Sequence, residues 1–113
     1  MELLTIRELP MPASAAYQRA VAYLRNAGYR RKWWGNSFVR DQRQFHSAEP
    51  SLDQWSVRVE VEVLPQQPGT AVITVIFRVN TRGRTMTDPV RHLWEQEATK
   101  LVAAVVAAAP SST

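Results

Sequence analysis

No cysteine occurs anywhere in the 113 residues. Disulfides, thiolate metal sites and cysteine nucleophiles are thereby excluded. Histidine is scarce as well, with His46 and His92 the only two. No second histidine follows His92 at the fourth position, so "HLWEQE" (92–97) does not carry the HExxH metal-binding spacing. His46 beside Glu49 offers two ligands, too few for a good site. The four glycines each serve a turn or a helix end, so neither a P-loop nor a dinucleotide-binding glycine pattern can be assembled from them. A GxSxG nucleophile motif is missing too. Asp41, Glu49 and Asp53 surround one loop, but nothing at fixed spacing makes an acid–base pair of them. The expectation is a protein that is not an enzyme and uses no cofactor.

Long apolar runs are also lacking. The most apolar stretch, "LVAAVVAAA" from Leu101 to Ala109, is far too short to span a bilayer. The opening "MELLTIRELPMP" contains two acids and does not read as a signal peptide. The default expectation is a soluble, cytoplasmic protein. A chain of this length makes one domain, residues 1–109, followed by "PSST" (110–113) as a disordered tail.

Charge is present and unevenly placed. The formal net charge is +4, and twelve of the fourteen basic residues are arginine. Arg30, Arg31, Lys32, Arg40 and Arg43 stand against the single acid Asp41 in residues 29–43, while the rest of the chain balances at nine of each sign. The whole excess therefore sits in one segment. A local patch of this kind points to an anionic partner more than a diffuse excess would.

Hydrophobic periodicity outlines the elements. Leu3–Leu9 reads as a short strand ended by "PMP". Pro12 or Ser14 opens a helix with Tyr17, Val21 and Leu24 at helical spacing, and Gly28 stops it. Tyr29–Trp34 and Ser37–Arg43 read as a hairpin about Gly35-Asn36, and Gln44–Asp53 as a loop. In "QWSVRVEVEVL" (54–64), Trp55, Val57, Val59, Val61 and Val63 point one way, with Ser56, Arg58, Glu60 and Glu62 opposite. Such alternation belongs to an antiparallel sheet with one wet face. "PQQPG" turns into "TAVITVIFRVN" (70–80), where Ala71, Ile73, Val75, Phe77 and Val79 form the buried set. The last helix starts with Asp88 as N-cap and Pro89 at the first position. Its apolar stripe is Val90, Leu93, Trp94, Leu101, Val102 and Val105. The predicted class is α+β, an antiparallel sheet with two helices packed on one face, in the order β-α-β-β-β-β-α.

In layout, the opening helix "AAYQRAVAYLRNAGYR", the paired valine strands and the long C-terminal helix resemble the TATA-binding-protein-like and helix-grip folds. These include domains of bacterial outer-membrane-assembly lipoproteins. The resemblance implies a long helix lying across a curved sheet. It carries no specific motif, and the lipobox cysteine of lipoproteins is absent. Glu60 and Glu62 on the wet face would repel a nucleic acid laid over it, unlike the DNA-binding surface of the TATA-binding protein.

The hairpin is the candidate site. A two-residue turn sets Trp33 opposite Phe38 and Arg31 opposite Arg40; a three-residue turn sets Trp34 opposite Phe38 and Lys32 opposite Arg40. Both registers place two cations face to face, which is unfavourable unless an anion or a partner's carboxylate lies between them. The expected partner-binding residues are Arg30, Arg31, Lys32, Trp33, Trp34, Phe38, Arg40 and Arg43. Tryptophan and arginine are enriched at interface hot spots, so the first expectation is a module that docks on a protein partner or assembly. The alternatives are nucleic-acid binding, with the cations on phosphates and a tryptophan stacked on a base, and a hydrophobic ligand held between sheet and C-terminal helix. An anionic membrane surface is a further possible partner.

Overall fold

The computed structural model describes residues 1–32, 35–43 and 51–107, with Trp33, Trp34, the loop 44–50 and the tail 108–113 outside it. The elements run β1 (Glu2–Leu9), α1 (Ala13–Asn26), β2 (Arg30–Arg31), β3 (Ser37–Arg40), β4 (Ser56–Gln67), β5 (Thr70–Asn80) and α2 (Asp88–Ala107). One antiparallel sheet has the order β1-β5-β4-β3-β2. The predicted class and element order hold. The N-terminal strand closes the sheet beside β5, and the short β2 forms the opposite edge.

Alternation sorts the strands into two faces. Val57, Val59 and Val61 on β4, Trp55 just before it, and Ala71, Ile73, Val75, Phe77 and Val79 on β5 are buried on the side that the helices cover. Trp94, Leu101 and Val105 of α2 and Leu24 of α1 fill the space above them, each almost fully buried. The Trp94 and Phe77 rings meet at 5.9 Å in a tilted arrangement, a favoured aromatic geometry. Both helices therefore lie on the one face of each long strand that is apolar throughout, the other mixing polar and apolar residues.

Four local expectations shift. The buried stripe of α1 is Ala16, Ala20 and Leu24, with Tyr17 and Val21 only partly covered beside it. Small side chains at i and i+4 let the helix approach closely, which turns the larger Tyr17 toward the hairpin. α2 starts one residue early: the Arg91 N–H donates to the Thr87 carbonyl at 3.0 Å, placing Asp88 inside the first turn rather than before it. β4 continues past Leu64 through Pro65 to Gln67, with a register irregularity between Pro65 and Gln67. Proline lacks the ladder N–H, so its place in a strand is at such a break. Lastly, β2 is only two residues long, where a strand over 29–34 was expected.

The open face reads, strand by strand, Glu2, Leu4, Ile6 and Glu8 on β1; Val72, Thr74, Ile76 and Arg78 on β5; and Arg58, Glu60, Glu62 and Leu64 on β4. Arg58 and Arg78 stand directly opposite each other. Glu60 relieves that repulsion, with 3.2 Å to Arg78 and 3.6 Å to Arg58, and Glu2 pairs with Arg78 from the other side. The ladder Glu2–Arg78–Glu60–Arg58 thus crosses three strands.

Candidate functional site

The hairpin adopts neither expected register. Arg30 pairs with Val39 and Arg31 with Phe38, and the Lys32 N–H donates to the Ser37 carbonyl at 3.0 Å. The connection is therefore the four residues 33–36. In this register Arg30 and Arg31 face apolar side chains and Lys32 lies opposite Ser37, so the like-charge opposition carried by both shorter turns does not arise. Trp33 and Trp34, and with them the expected stacking on Phe38, lie outside the described residues.

The pleat divides the expected site residues between two faces. Arg31, Phe38 and Arg40 are on the helix side, whereas Arg30 and Lys32 are on the open side. Phe38 is a core residue with no exposed surface. Arg31 takes the place over it that a tryptophan was expected to fill: its guanidinium lies 6.0 Å from the Phe38 ring and 5.7 Å from the Tyr17 ring. Arg31 Nη2 donates to the Tyr17 hydroxyl at 3.0 Å, and that hydroxyl donates to Asn36 Oδ1 at 3.0 Å. The Asn36 carbonyl in turn accepts from the Val61 N–H. A chain of bonds thus ties the end of the turn to both α1 and β4.

Arg40 is only 6% exposed. Nη1 donates to the carbonyl of Ala27, the C-cap of α1, at 3.2 Å, and the guanidinium lies 4.7 Å from the Tyr29 ring centre. A cation at a helix C-terminus is favourable. Nε and Nη2, like the Tyr29 hydroxyl, are buried and have no hydrogen-bond partner among the described residues. Arg43 pairs with Asp53 through its side chain, and its N–H donates to the Asp53 carbonyl at 2.8 Å. Arg30 pairs with the exposed Asp41 at 3.1 Å. Lys32 is exposed beside a shallow depression of ≈ 400 Å³ on the open face, whose lining includes Val39, Asp41, Ser56, Arg58 and Arg78.

Sequence reasoning missed a second polar group in the interior. Glu97 is 7% exposed and accepts a 2.9 Å hydrogen bond from the Tyr23 hydroxyl. Burial, reinforced by the Glu97 charge, holds the Tyr23 phenol well above its usual range. Burial does the same for Tyr29, partly offset by the nearby Arg40. Signals for both buried charges were present. Position 97 lies within the apolar stripe between Trp94 and Leu101, and Arg40 shares the period-two phase of Phe38.

His92 is exposed and contacts Gln96 at 3.1 Å; His46 lies outside the described residues. No group of three or more histidine, aspartate or glutamate side chains among the described residues is placed to hold a metal. No helix among them is long and apolar enough to cross a membrane.

No protein-family model matches the chain, and none of the curated proteins matches it in sequence. Among solved structures, an uncharacterized protein from Bacillus thuringiensis is similar over 96% of this chain and 98% of its own, with a TM-score of 0.53 and 8% identity. At that identity the likeness concerns the fold alone: a small α+β domain.

Proposed function

We propose that the chain is a non-catalytic docking module for a protein partner, with its contact surface at the hairpin and the adjoining corner of the open face. The observation that supports this reading is the interleaving of charge. Of the five hairpin cations, Arg40 is buried, Arg31 is engaged with Tyr17 and Phe38, and Arg43 and Arg30 have carboxylate partners. The exposed positions Arg30 and Lys32 are followed across the sheet by Arg58 and Arg78, with Asp41, Glu60 and Glu2 set among them. A phosphate backbone favours an unbroken row of cations, since its affinity comes from counterions released at each contact. Alternating signs suit a protein surface of complementary pattern, which gains specificity and register from them. The Arg31–Tyr17–Asn36 chain supports the same reading, because side chains held in place in advance lose less freedom on binding. In this reading Arg31, Phe38, Arg40 and Arg43 position the hairpin, while Arg30, Lys32, Trp33 and Trp34 make contact.

The layout resemblance to TATA-binding-protein-like and helix-grip domains belongs to this reading as a relationship of architecture. A ligand between sheet and α2 is less well supported, because Trp94, Phe77, Leu101 and Val105 already fill that space.

The test uses an Arg30→Glu/Lys32→Glu variant, whose substitutions lie at exposed positions and should leave the melting temperature unchanged. Site-specific photo-crosslinking from position 35 in the native host should trap a discrete protein adduct in the wild type and lose it in the variant. Single- and double-stranded oligonucleotides and anionic vesicles are titrated in parallel at two salt concentrations. Micromolar or tighter oligonucleotide binding at physiological salt, with a log–log slope near about −3 and loss in the variant, would replace the protein reading with a nucleic-acid one. Vesicle binding lost in the same variant would replace it with a membrane one.

A further inference from the structure

At the edge opposite the hairpin, β1 pairs with β5 on one side and with no strand among the described residues on the other. Its hydrogen-bonding phase follows from one pair. The Val79 N–H donates to the Met1 carbonyl at 2.8 Å, and the Met1 nitrogen donates to the Val79 carbonyl at 3.0 Å. Met1 and Val79 are therefore a hydrogen-bonded pair, and the odd-numbered residues of β1 bond to β5. The even-numbered ones, Glu2, Leu4, Ile6 and Glu8, aim their N–H and C=O groups outward. Arg7 agrees with this phase, since its Nη1 reaches the outward carbonyl of Ile6 at 3.0 Å.

The same even residues carry the exposed apolar side chains of the open face. Leu4 is 60% and Ile6 52% exposed, and Leu64, at 55%, extends the apolar surface two strands away. An edge strand with unpaired backbone and exposed aliphatic side chains is a template for another strand.

We infer that β1 pairs with β1 of a second copy, antiparallel, about a two-fold axis through Thr5 and perpendicular to the sheet. The inference does not rest on the hairpin reading. Outward-facing residues must meet one another, which restricts the axis to whole-residue positions. An axis at Thr5 pairs all four outward residues, whereas an axis at Leu4 or at Ile6 pairs only three. About Thr5, Leu4 faces Ile6 of the second copy and Ile6 faces Leu4, so both exposed aliphatic residues gain an apolar cross-strand neighbour. Thr5 meets Thr5 in a non-hydrogen-bonded pair, a favourable combination. On the helix side, Leu3 faces Arg7.

The symmetric fit favours a second copy over a foreign strand, which has no reason to match this order. Two features oppose the pairing. Glu2 faces Glu8 at each end, softened by the Glu2–Arg78 ion pair. Arg7 must also release the Ile6 carbonyl, so an exposed arginine guards this edge against indiscriminate partners. The product is a ten-stranded sheet with a hairpin at each far end, roughly 40 Å apart at the usual strand spacing. Two tethered hairpins would raise avidity for any partner with repeated sites.

Light scattering and sedimentation of the full chain over two decades of concentration should show a monomer–dimer equilibrium. Added salt should strengthen it by screening the paired glutamates. Leu4→Lys/Ile6→Lys should weaken dimerization about tenfold or more, with monomer secondary structure unchanged. The register is tested by cysteine, since the chain has none of its own. The non-hydrogen-bonded pair at the axis sets Cα atoms about 4.5 Å apart, within the roughly 4.4–6.8 Å span of a disulfide. Thr5→Cys should therefore cross-link readily under mild oxidation. Leu3→Cys and Arg7→Cys should cross-link when mixed and hardly at all alone. A monomer at every concentration, a dimer indifferent to the lysine pair, or equal cross-linking from Arg7→Cys alone would each overturn the inference.

Discussion

Replacing Arg40 by methionine should change stability little, whereas replacing it by glutamate should cost several kcal/mol. The structure supplies the terms. The Arg40 side chain is almost fully buried and, among the described residues, makes one hydrogen bond, to the carbonyl that caps α1. A hydrogen bond from a charged donor contributes about 1.5–3 kcal/mol, and the cation over the Tyr29 ring about 2 kcal/mol when desolvated. Against these stand two buried donor groups without partners among the described residues, each costing about 1–3 kcal/mol. The opposing terms nearly cancel, so Arg40→Met should stay within about 2 kcal/mol of the wild type, consistent with the near-neutral replacement of other buried charges by apolar residues. Glutamate would set a second buried acid in the neighbourhood of Glu97 and lose the helix-end contact. A buried charge left unpaired costs about 3–5 kcal/mol, a large part of the roughly 5–15 kcal/mol that holds a domain together. Urea denaturation followed by tryptophan fluorescence measures both variants, with the m-value checking that the unfolded states are comparable. A loss of more than about 4 kcal/mol in Arg40→Met would refute this balance of terms and show that the guanidinium organizes the hairpin root in a way its contacts do not convey.

Three further outcomes are expected. Val59→Asp places a carboxylate at a position with no exposed surface and should cost several kcal/mol; a thermal melt matching the wild type would mean that the faces of β4 are assigned wrongly. Stability should fall as pH rises above about 10, where tyrosines ionize in the unfolded chain, because Tyr23 and Tyr29 hold their protons more tightly when folded. Each contributes a slope of up to about 1.4 kcal/mol per pH unit, so Tyr29→Phe should roughly halve the alkaline loss, and an unchanged slope would contradict the assignment. Gly28 has a positive φ of 90°, and a Cβ there would lie 2.9 Å from Arg43 Nη1. Gly28→Ala should therefore cost about 1–2 kcal/mol, and a neutral result in chemical denaturation would show that the α1 terminus relaxes freely.

Periodicity alone determined most of the fold. The alternation Val57-Val59-Val61 against Arg58-Glu60-Glu62, and its counterpart from Ala71 to Val79, defined two strands with one wet face. The helical spacing from Val90 to Val105, with Gly28 and Pro89 as punctuation, located both helices. These signals are local, because side-chain direction repeats every two residues in a strand and every 3.6 in a helix. The sequence also showed where the positive charge is concentrated. Only the tertiary structure decided what each of those charges does. Arg40 turned inward because it shares the phase of Phe38, and Arg31 lay over Tyr17 because two alanines brought α1 close. The register of the hairpin depended on which residues β3 meets across β4, a contact between segments some twenty residues apart. The same holds for β1: its sequence alternates like any half-buried strand, and only its place at the end of the sheet leaves Leu4 and Ile6 uncovered and without a strand on their outer side among the described residues. Which face a residue occupies is encoded locally, but what lies opposite it is set by distant parts of the chain.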